Sequence, residues 1–437
     1  MSITGKIIKI LSLGTGVLLR LGGQKSTREP VLPPSSQAGS DNAGDILLVG
    51  FVGGTGGISV MMLELGACLV SRGLRVRIVV PSWETTIDYA ERCRQRGVGV
   101  ERTPLLFERT SRLGQLVNAL RFVGRYRAAI IHYHANGDVL HHSFLYAMDL
   151  LHAPPSFFTP QGTFDEPLSQ LSATHWASAV PRHFKQVICI SRRVLRRQLG
   201  YGVSKERLRL IYNGVNVDRF ASGDARVARQ ELGAPDRARL IVFSARIEPQ
   251  KRPLDGVRAF RQIADEFPDA QLVFVGAGSL EVQTRTEAEQ AGLSARVYFV
   301  GHRDDVPNWL AAANVWLLPT ETEGFSLAVI EAMAAGCSIV STQCPGNDEI
   351  LVHEENSLVV AVGDVGAMAQ ALRRLLSDPG LSSKLRGNAR ETARRYSLYH
   401  MVEAHLACYT DAQVDASESN AAANTHATRS FDSTEKG

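Results

Sequence analysis

Short apolar blocks recur along this chain, separated by stretches whose apolar positions return every three to four residues. Asp45-Ile46-Leu47-Leu48-Val49-Gly50-Phe51-Val52 reads as a buried strand. It runs into a Gly-rich turn, a helical pattern over 58–72 closed by Gly73, and a second strand over 74–80. Strand, helix and strand joined by short loops make a βαβ unit in a parallel sheet. Further strands are expected over 128–132, 156–159, 186–190 and 209–211, with helical stretches between them. Together they predict a doubly wound α/β domain over 45–215. A charged, loop-like stretch over 218–239 leads into a second such domain over 216–395. Its strands are expected over 240–245, 271–276, 297–300, 315–319, 338–341 and 357–360, and helices over 368–376, 381–395 and 398–410. The fold class is therefore α/β, with two Rossmann-like domains facing across a cleft.

Both ends read differently. Residues 1–44 combine an apolar stretch carrying Lys6, Lys9 and Arg20 with a Ser-, Pro- and Gly-rich linker, an amphipathic leader suited to a membrane interface. Residues 411–437 hold few large apolar side chains and are expected to be disordered. The formal net charge of +4 over 437 residues is small, but its distribution is uneven. Arg182, Lys185, Arg192, Arg193, Arg196, Arg197, Lys205, Arg207 and Arg209 crowd one segment, and a second arginine group spans 92–127. Such faces suit anionic lipid, a phosphorylated acceptor or nucleic acid. The six cysteines are scattered without a C-x-x-C pair, which fits reduced, buried thiols in a cytoplasmic protein. No apolar run reaches membrane-spanning length.

The densest chemistry lies in Thr320-Glu321-Thr322-Glu323-Gly324-Phe325-Ser326-Leu327, followed by a helical run that contains Glu331 and stops at Gly336. Ser326 suits a helix N-cap and Gly336 a C-terminal stop. The first amides of such a helix lack intrahelical partners and sit at the positive end of its dipole, which makes an anion site. Glu323 and Glu331 bracket it as hydroxyl acceptors. Anion donors flanked by hydroxyl acceptors match a nucleotide sugar, a pyrophosphate between two polyols. Arg246 and Lys251 stand on one loop after the first strand of the second domain, two cations able to neutralise a diphosphate without a metal. Gly53-Gly54-Thr55-Gly56-Gly57 allows close backbone approach, but fits neither a dinucleotide fingerprint nor a P-loop. There is no Asp-x-Asp pair.

Taken together, Glu323 and Glu331, Arg246 and Lys251, and the Gly-rich first loop resemble the retaining glycosyltransferase family 4, of GT-B fold, also called group 1. Gly276-Ala277-Gly278-Ser279-Leu280, Phe299-Val300-Gly301-His302 and Asp348-Glu349-Ile350 fall where that family has comparable segments. Tyr396-Ser397, leading into a helix with Tyr409, resembles its final helix, which crosses back to the first domain; this implies such a helix over 396–410. The resemblance implies that Arg246 and Lys251 hold the donor diphosphate, with the amides of Phe325, Ser326 and Leu327 on the same phosphate and Gly324 at the donor. It implies Glu331 on the nucleotide ribose and Glu323 on the donor sugar. It places Gly54 near the diphosphate or acceptor, Gly276 at the donor, and Gly301 with His302 beside the base. In the first domain it points to His134 of Ile131-His132-Tyr133-His134 as the catalytic histidine, with His132 in the core. Gln161 stands where relatives carry a later histidine, and Asp165 is the reserve.

The activity expected is transfer of a sugar from a UDP- or GDP-linked donor to a glycan or lipid-linked acceptor. It is expected to be retaining and metal-independent, with no cofactor and no nucleic-acid partner, in bacterial-type polysaccharide or glycolipid assembly at the inner face of a membrane. A sugar-nucleotide epimerase on the same architecture stays open, as does a non-enzymatic binding protein. An NAD dehydrogenase is disfavoured, because Val79-Val80-Pro81 offers no acidic ribose ligand after the second strand.

Overall fold

The computed structural model describes residues 45–50, 56–104, 112–126, 128–135, 154–161 and 182–412, with scattered positions between 145 and 151. The leader 1–44, Gly54, Asp165 and the tail beyond 412 lie outside the described residues.

Two parallel sheets carry the molecule. The first contains β1 (Asp45–Gly50), β2 (Val76–Pro81), β3 (Gly99–Thr103), β4 (Ala128–Ala135), β5 (Ser156–Pro160), β6 (Gln186–Cys189) and β7 (Leu208–Leu210). Their spatial order is β3-β2-β1-β4-β5-β6-β7. The second contains β8 (Arg239–Ser244), β9 (Ala270–Val275), β10 (Val297–Phe299), β11 (Val315–Leu318), β12 (Ser338–Thr342) and β13 (Leu358–Val360), in the order β10-β9-β8-β11-β12-β13. Strands such as Leu240-Ile241-Val242-Phe243 are fully buried, as expected of parallel strands covered on both faces. In each sheet the order reverses about one pair, β1 with β4 and β8 with β11. A crevice opens at the carboxyl ends of strands where such a reversal occurs. The candidate residues after β8 and β11 sit at one of these two points.

The sequence expectation missed β3 and the helices before β8. Gly99–Thr103 is an edge strand, and only Thr103 of its five residues is buried, so its apolar signal is weak. The stretch expected to be loop-like contains the helices Val217–Ala221 and Ala225–Leu232. Side chains of Asn216 and Asp224 cap them, accepting from the amides of Arg219 and Arg226, and Gly233 closes the second in a left-handed turn. These caps give charged segments defined helix starts that hydrophobic periodicity cannot reveal.

The helix over 398–412 packs on the first sheet. Leu398, Met401, Val402, Cys408 and Tyr409 share a core with Ile46, Leu48, Ile130 and Phe157. Three histidines meet there, fully buried: His132 and His134 on β4, and His405 on the helix. His132 bonds the Tyr409 hydroxyl through Nδ1 at 2.6 Å and the Thr159 hydroxyl through Nε2 at 2.7 Å. His405 Nδ1 donates to the Met401 carbonyl at 2.8 Å. His134 Nε2 is buried without a partner among the described residues.

Burial holds all three rings neutral, pushing His134 down to about 3, His405 to about 4 and His132 well below its ordinary value. The unfolded chain would take up these protons first. Stability is therefore expected to be full above the ordinary histidine value of 6.5 and to fall as pH drops from there towards 4. The loss approaches about 1.4 kcal/mol per pH unit for each ring. Denaturant titrations from about pH 7.5 to 4.5 check this. His405→Gln should make the decline shallower, and an unchanged slope would contradict the assignment.

Candidate functional site

The helix Leu327–Ala335 follows β11 after a short loop. Ser326 is its N-cap in extended conformation, and Gly336 ends it with φ +76°. Its first intrahelical bond runs from the Ile330 amide to the Ser326 carbonyl. The amides of Leu327, Ala328 and Val329 are left without acceptors within the helix. The Ser326 hydroxyl is also buried without a partner among the described residues. Gly324 to Ala328 line a cleft of about 1300 Å³, where these donors and the dipole favour an anion.

Arg246 and Lys251 reach the same cleft from the loop after β8. That loop is tied to the β11 side. The Glu321 amide donates to the Gln250 carbonyl at 2.8 Å, and the Gln250 side-chain amide donates to the Thr322 carbonyl. Arg246 is exposed, and no ion pair engages it among the described residues. Lys251 is held differently. Its Nζ lies 2.6 and 2.7 Å from the two carboxylate oxygens of Glu323, and both side chains are nearly out of water. Phosphate and sugar ligands expected to act separately therefore form one ion pair. An ammonium has three N–H donors, so a third remains for a phosphate oxygen.

Glu331 also lines the cleft. Burial pushes its carboxyl up to about 7, opposed only by the charge of Arg219. Beyond it, Gly276 has φ +146°, and a Cβ there would lie 2.1 Å from the Ala245 carbonyl oxygen. This close approach lets the Gly276 amide bond the Gly301 carbonyl at 2.7 Å, knitting together the loops after β8, β9 and β10. Gly276 and His302 line the cleft, whereas Gly301 serves the turn behind His302.

Gly56, Gly57, Ile58, Val60, Gln161, Ile190 and Asn213 form the described part of the first-domain wall. His134 is not at this wall. It is fully buried behind Gln161, with Nδ1 3.4 Å from the Gln161 amide nitrogen. The register explains the difference. His134 pairs with Thr159 and Ala135 with Pro160, so Gln161 lies one step further toward the rim. The Gln161 oxygen accepts from Asn213 Nδ2 at 2.9 Å. The sequence marked Gln161 only as a departure from a pattern, and nothing in it signalled Asn213. His132 lies in the core, as expected. Among the described residues, no cluster of three or more His, Cys, Asp or Glu could hold a metal ion, and no helix is long and apolar enough to cross a membrane.

Comparison with known proteins finds two family matches. The family described as Glycosyltransferase Family 4 matches residues 55–219, and Glycosyl transferases group 1 matches residues 224–394. A D-inositol 3-phosphate glycosyltransferase of Acidothermus cellulolyticus is 31% identical over 223 residues, 48% of this chain and 50% of that protein. The chain spans about half the length of the curated relatives it matches. Among solved structures, a glycosyltransferase from Rickettsia africae superposes with a TM-score of 0.74 at 18% identity, covering 85% of this chain and 99% of that one. The Anabaena protein Alr3699/HepE, in complex with UDP, gives 0.71 at 20% identity, covering 84% and 100%. At these identities the two structures establish the shared GT-B fold.

The raised Glu331 carboxyl leads to a paired expectation. Its unfolded-state value lies near 4.5, so ionisation above that pH costs the folded state stability until it is complete near 7. Glu331→Gln should therefore stabilise the chain at pH 8 by about 2 kcal/mol, after allowance for the carboxylate's contact with the cleft. The gain should vanish near pH 4. Denaturant midpoints at the two pH values check it, and no gain at pH 8 would contradict the strained carboxylate.

Proposed function

We propose that this chain, which belongs to the family 4, group 1 glycosyl transferases, transfers a sugar from a nucleotide-diphosphate donor to a hydroxyl of a glycan or lipid-linked acceptor. One observation carries the reading: Arg246, Lys251 and the amides around Ser326 meet in one cleft, with Glu323 and Glu331 beside them. In this reading Arg246 and the helix start hold the diphosphate, and the third N–H of Lys251 joins them. As the bond between sugar and phosphate breaks, negative charge grows on the leaving oxygen. Donors already fixed in the cleft stabilise that charge without reorganising. Glu323, anchored by Lys251, accepts hydrogen bonds from donor-sugar hydroxyls. Glu331 accepts from the ribose, and Gly276 with His302 borders the base.

Transfer with retention and without a metal fits this arrangement. Two cations and a helix dipole supply the positive charge, and the leaving phosphate takes the acceptor proton on the same face. His134, neutral and behind Gln161, acts in this scheme by supporting Gln161 rather than by touching the acceptor. UDP is the first nucleotide to test, because the Anabaena structure contains it. The exposed cations Arg192, Arg196, Lys205 and Arg209 support contact with an anionic membrane surface on the cytoplasmic side. The reading needs no cofactor and no nucleic acid.

Calorimetric titration with UDP, GDP and ADP tests the site, followed by turnover of the matching sugar nucleotides. Arg246→Ala should weaken nucleoside diphosphate binding by at least about 10-fold while leaving the bare nucleoside unaffected. Equal losses for both ligands would remove Arg246 from the phosphate. Glu323→Gln should lower turnover by about 100-fold or more. Wild-type turnover in that variant overturns its role. Epimerised donor formed without acceptor would favour the epimerase reading instead.

A further inference from the structure

Two chain crossings join the halves of the molecule, one after β7 and one before the helix over 398–412. They run side by side. Val215 and Ser397 form a parallel bridge, with the Val215 amide on the Tyr396 carbonyl at 3.0 Å and the Leu398 amide on the Val215 carbonyl at 2.7 Å. A Cβ on Gly214 would lie 2.6 Å from the Ser397 carbonyl oxygen, so this approach admits only glycine. Each crossing carries one tyrosine, Tyr212 on the first and Tyr396 on the second. Their rings pack edge to face at 5.3 Å between centroids.

The third ring of this cluster is Phe325, whose backbone belongs to the turn that lines the cleft. Its centroid lies 5.1 Å from Tyr212 and 5.4 Å from Tyr396. Glu349 clamps the cluster from the other side. It accepts from the Tyr212 hydroxyl at 2.9 Å, and its carbonyl accepts from the Tyr396 hydroxyl at 3.0 Å. Its carboxylate also accepts from the Arg192 and Arg193 amides at 2.9 and 3.1 Å. Those are the first two amides of the helix Arg192–Gly200, and the third donates to Ser191. A carboxylate from the second half thus completes the helix cap of the first, an arrangement that complements the dipole. Arg193 also donates to the Thr322 hydroxyl, beside Glu323.

The geometry points to Phe325, Tyr212, Tyr396 and Glu349 as a mechanical coupling between the anion-binding turn and the paired crossings, so that filling the turn stiffens the hinge and the hinge tunes the turn. These are positioning residues, and Glu349 is not among the residues lining the cleft. The coupling rests on the nucleotide-diphosphate reading of the cleft. A phosphate drawn onto the amides around Phe325 fixes that residue's backbone and, through its ring, both tyrosines. Coupling of this kind is reciprocal, so loosening the hinge must weaken binding by the same factor that binding stiffens the hinge.

Hydrogen exchange and calorimetry on the full chain with UDP test it. UDP is expected to slow exchange of amides within 211–217 and 396–400 several-fold. Phe325→Leu should abolish that protection while still binding UDP, and Phe325→Tyr should retain it. Glu349→Gln, from the hinge side, should weaken UDP binding by about 5-fold or more. With a donor sugar nucleotide, Phe325→Leu should lower kcat more than it raises the donor KM. Protection that persists in Phe325→Leu overturns the coupling. Should that variant not fold, unchanged UDP affinity in Glu349→Gln overturns it from the other side. UDP bound by the wild type without hinge protection removes the coupling alone. A wild-type chain that binds no nucleoside diphosphate removes the cleft reading and the coupling with it.

Discussion

Lys251 and Glu323 face each other with little water around either, and the arrangement of the cleft depends on that pair. A buried ion pair is weak as a source of stability, since removing two charges from water offsets most of their attraction. Its effect here is on position. Each carboxylate oxygen of Glu323 meets the same ammonium, so the side chain cannot swing away from the cleft wall. Gln250, next to Lys251, bonds the backbone of 321 and 322, so the two loops move as one. Removing either charge would leave the other stranded, a loss of about 3–5 kcal/mol by comparison with other buried pairs. In the proposed reading, function and local folding are joined at this point, whereas Arg246, exposed and outside any ion pair among the described residues, can change without such a penalty.

The parallel sheets explain why so much converges. Parallel strands deliver their carboxyl ends to one edge, and each helix that follows begins there with unsatisfied amides. Reversal of strand order between β8 and β11 leaves a crevice at their carboxyl ends with room for a ligand. Residues after β8, β9, β10 and β11 thus reach one cleft from distant places in the chain.

This is also why much of the second-domain site was legible in the sequence. Glu323, the Ser326 start, Glu331 and the Gly336 stop lie on one local segment, and local spacing determines where they fall on a helix. Arg246 and Lys251 follow a strand whose apolar run is unmistakable. What could not be read depended on contacts between remote segments. His134 was marked by resemblance to a His-x-His strand end, yet β5 extends one step beyond it. The returning helix with Tyr409 was legible, but its placing of His405 beside His132 has no local signal. The Lys251–Glu323 contact spans 72 positions, and the Glu349 cap of the Arg192–Gly200 helix spans more than twice that. The two short helices before β8 were hidden for a different reason: their caps are polar, and the apolar pattern carried no mark of them.

The two glutamates share one segment but occupy opposite physical states. Glu323 has a cation against both oxygens, whereas Glu331 has burial and, among the described residues, no paired cation, and its carboxyl rises to about 7. A paired carboxylate is fixed before a ligand arrives. An unpaired and partly desolvated one gains more from a ligand's hydroxyls, because those hydrogen bonds replace water it has already lost. The proposed ribose end would therefore draw its affinity from relief of an electrostatic cost carried by the empty cleft. The proposed sugar end would draw on preset geometry. That division suits transfer, in which the nucleotide must be held while the sugar is aligned and released.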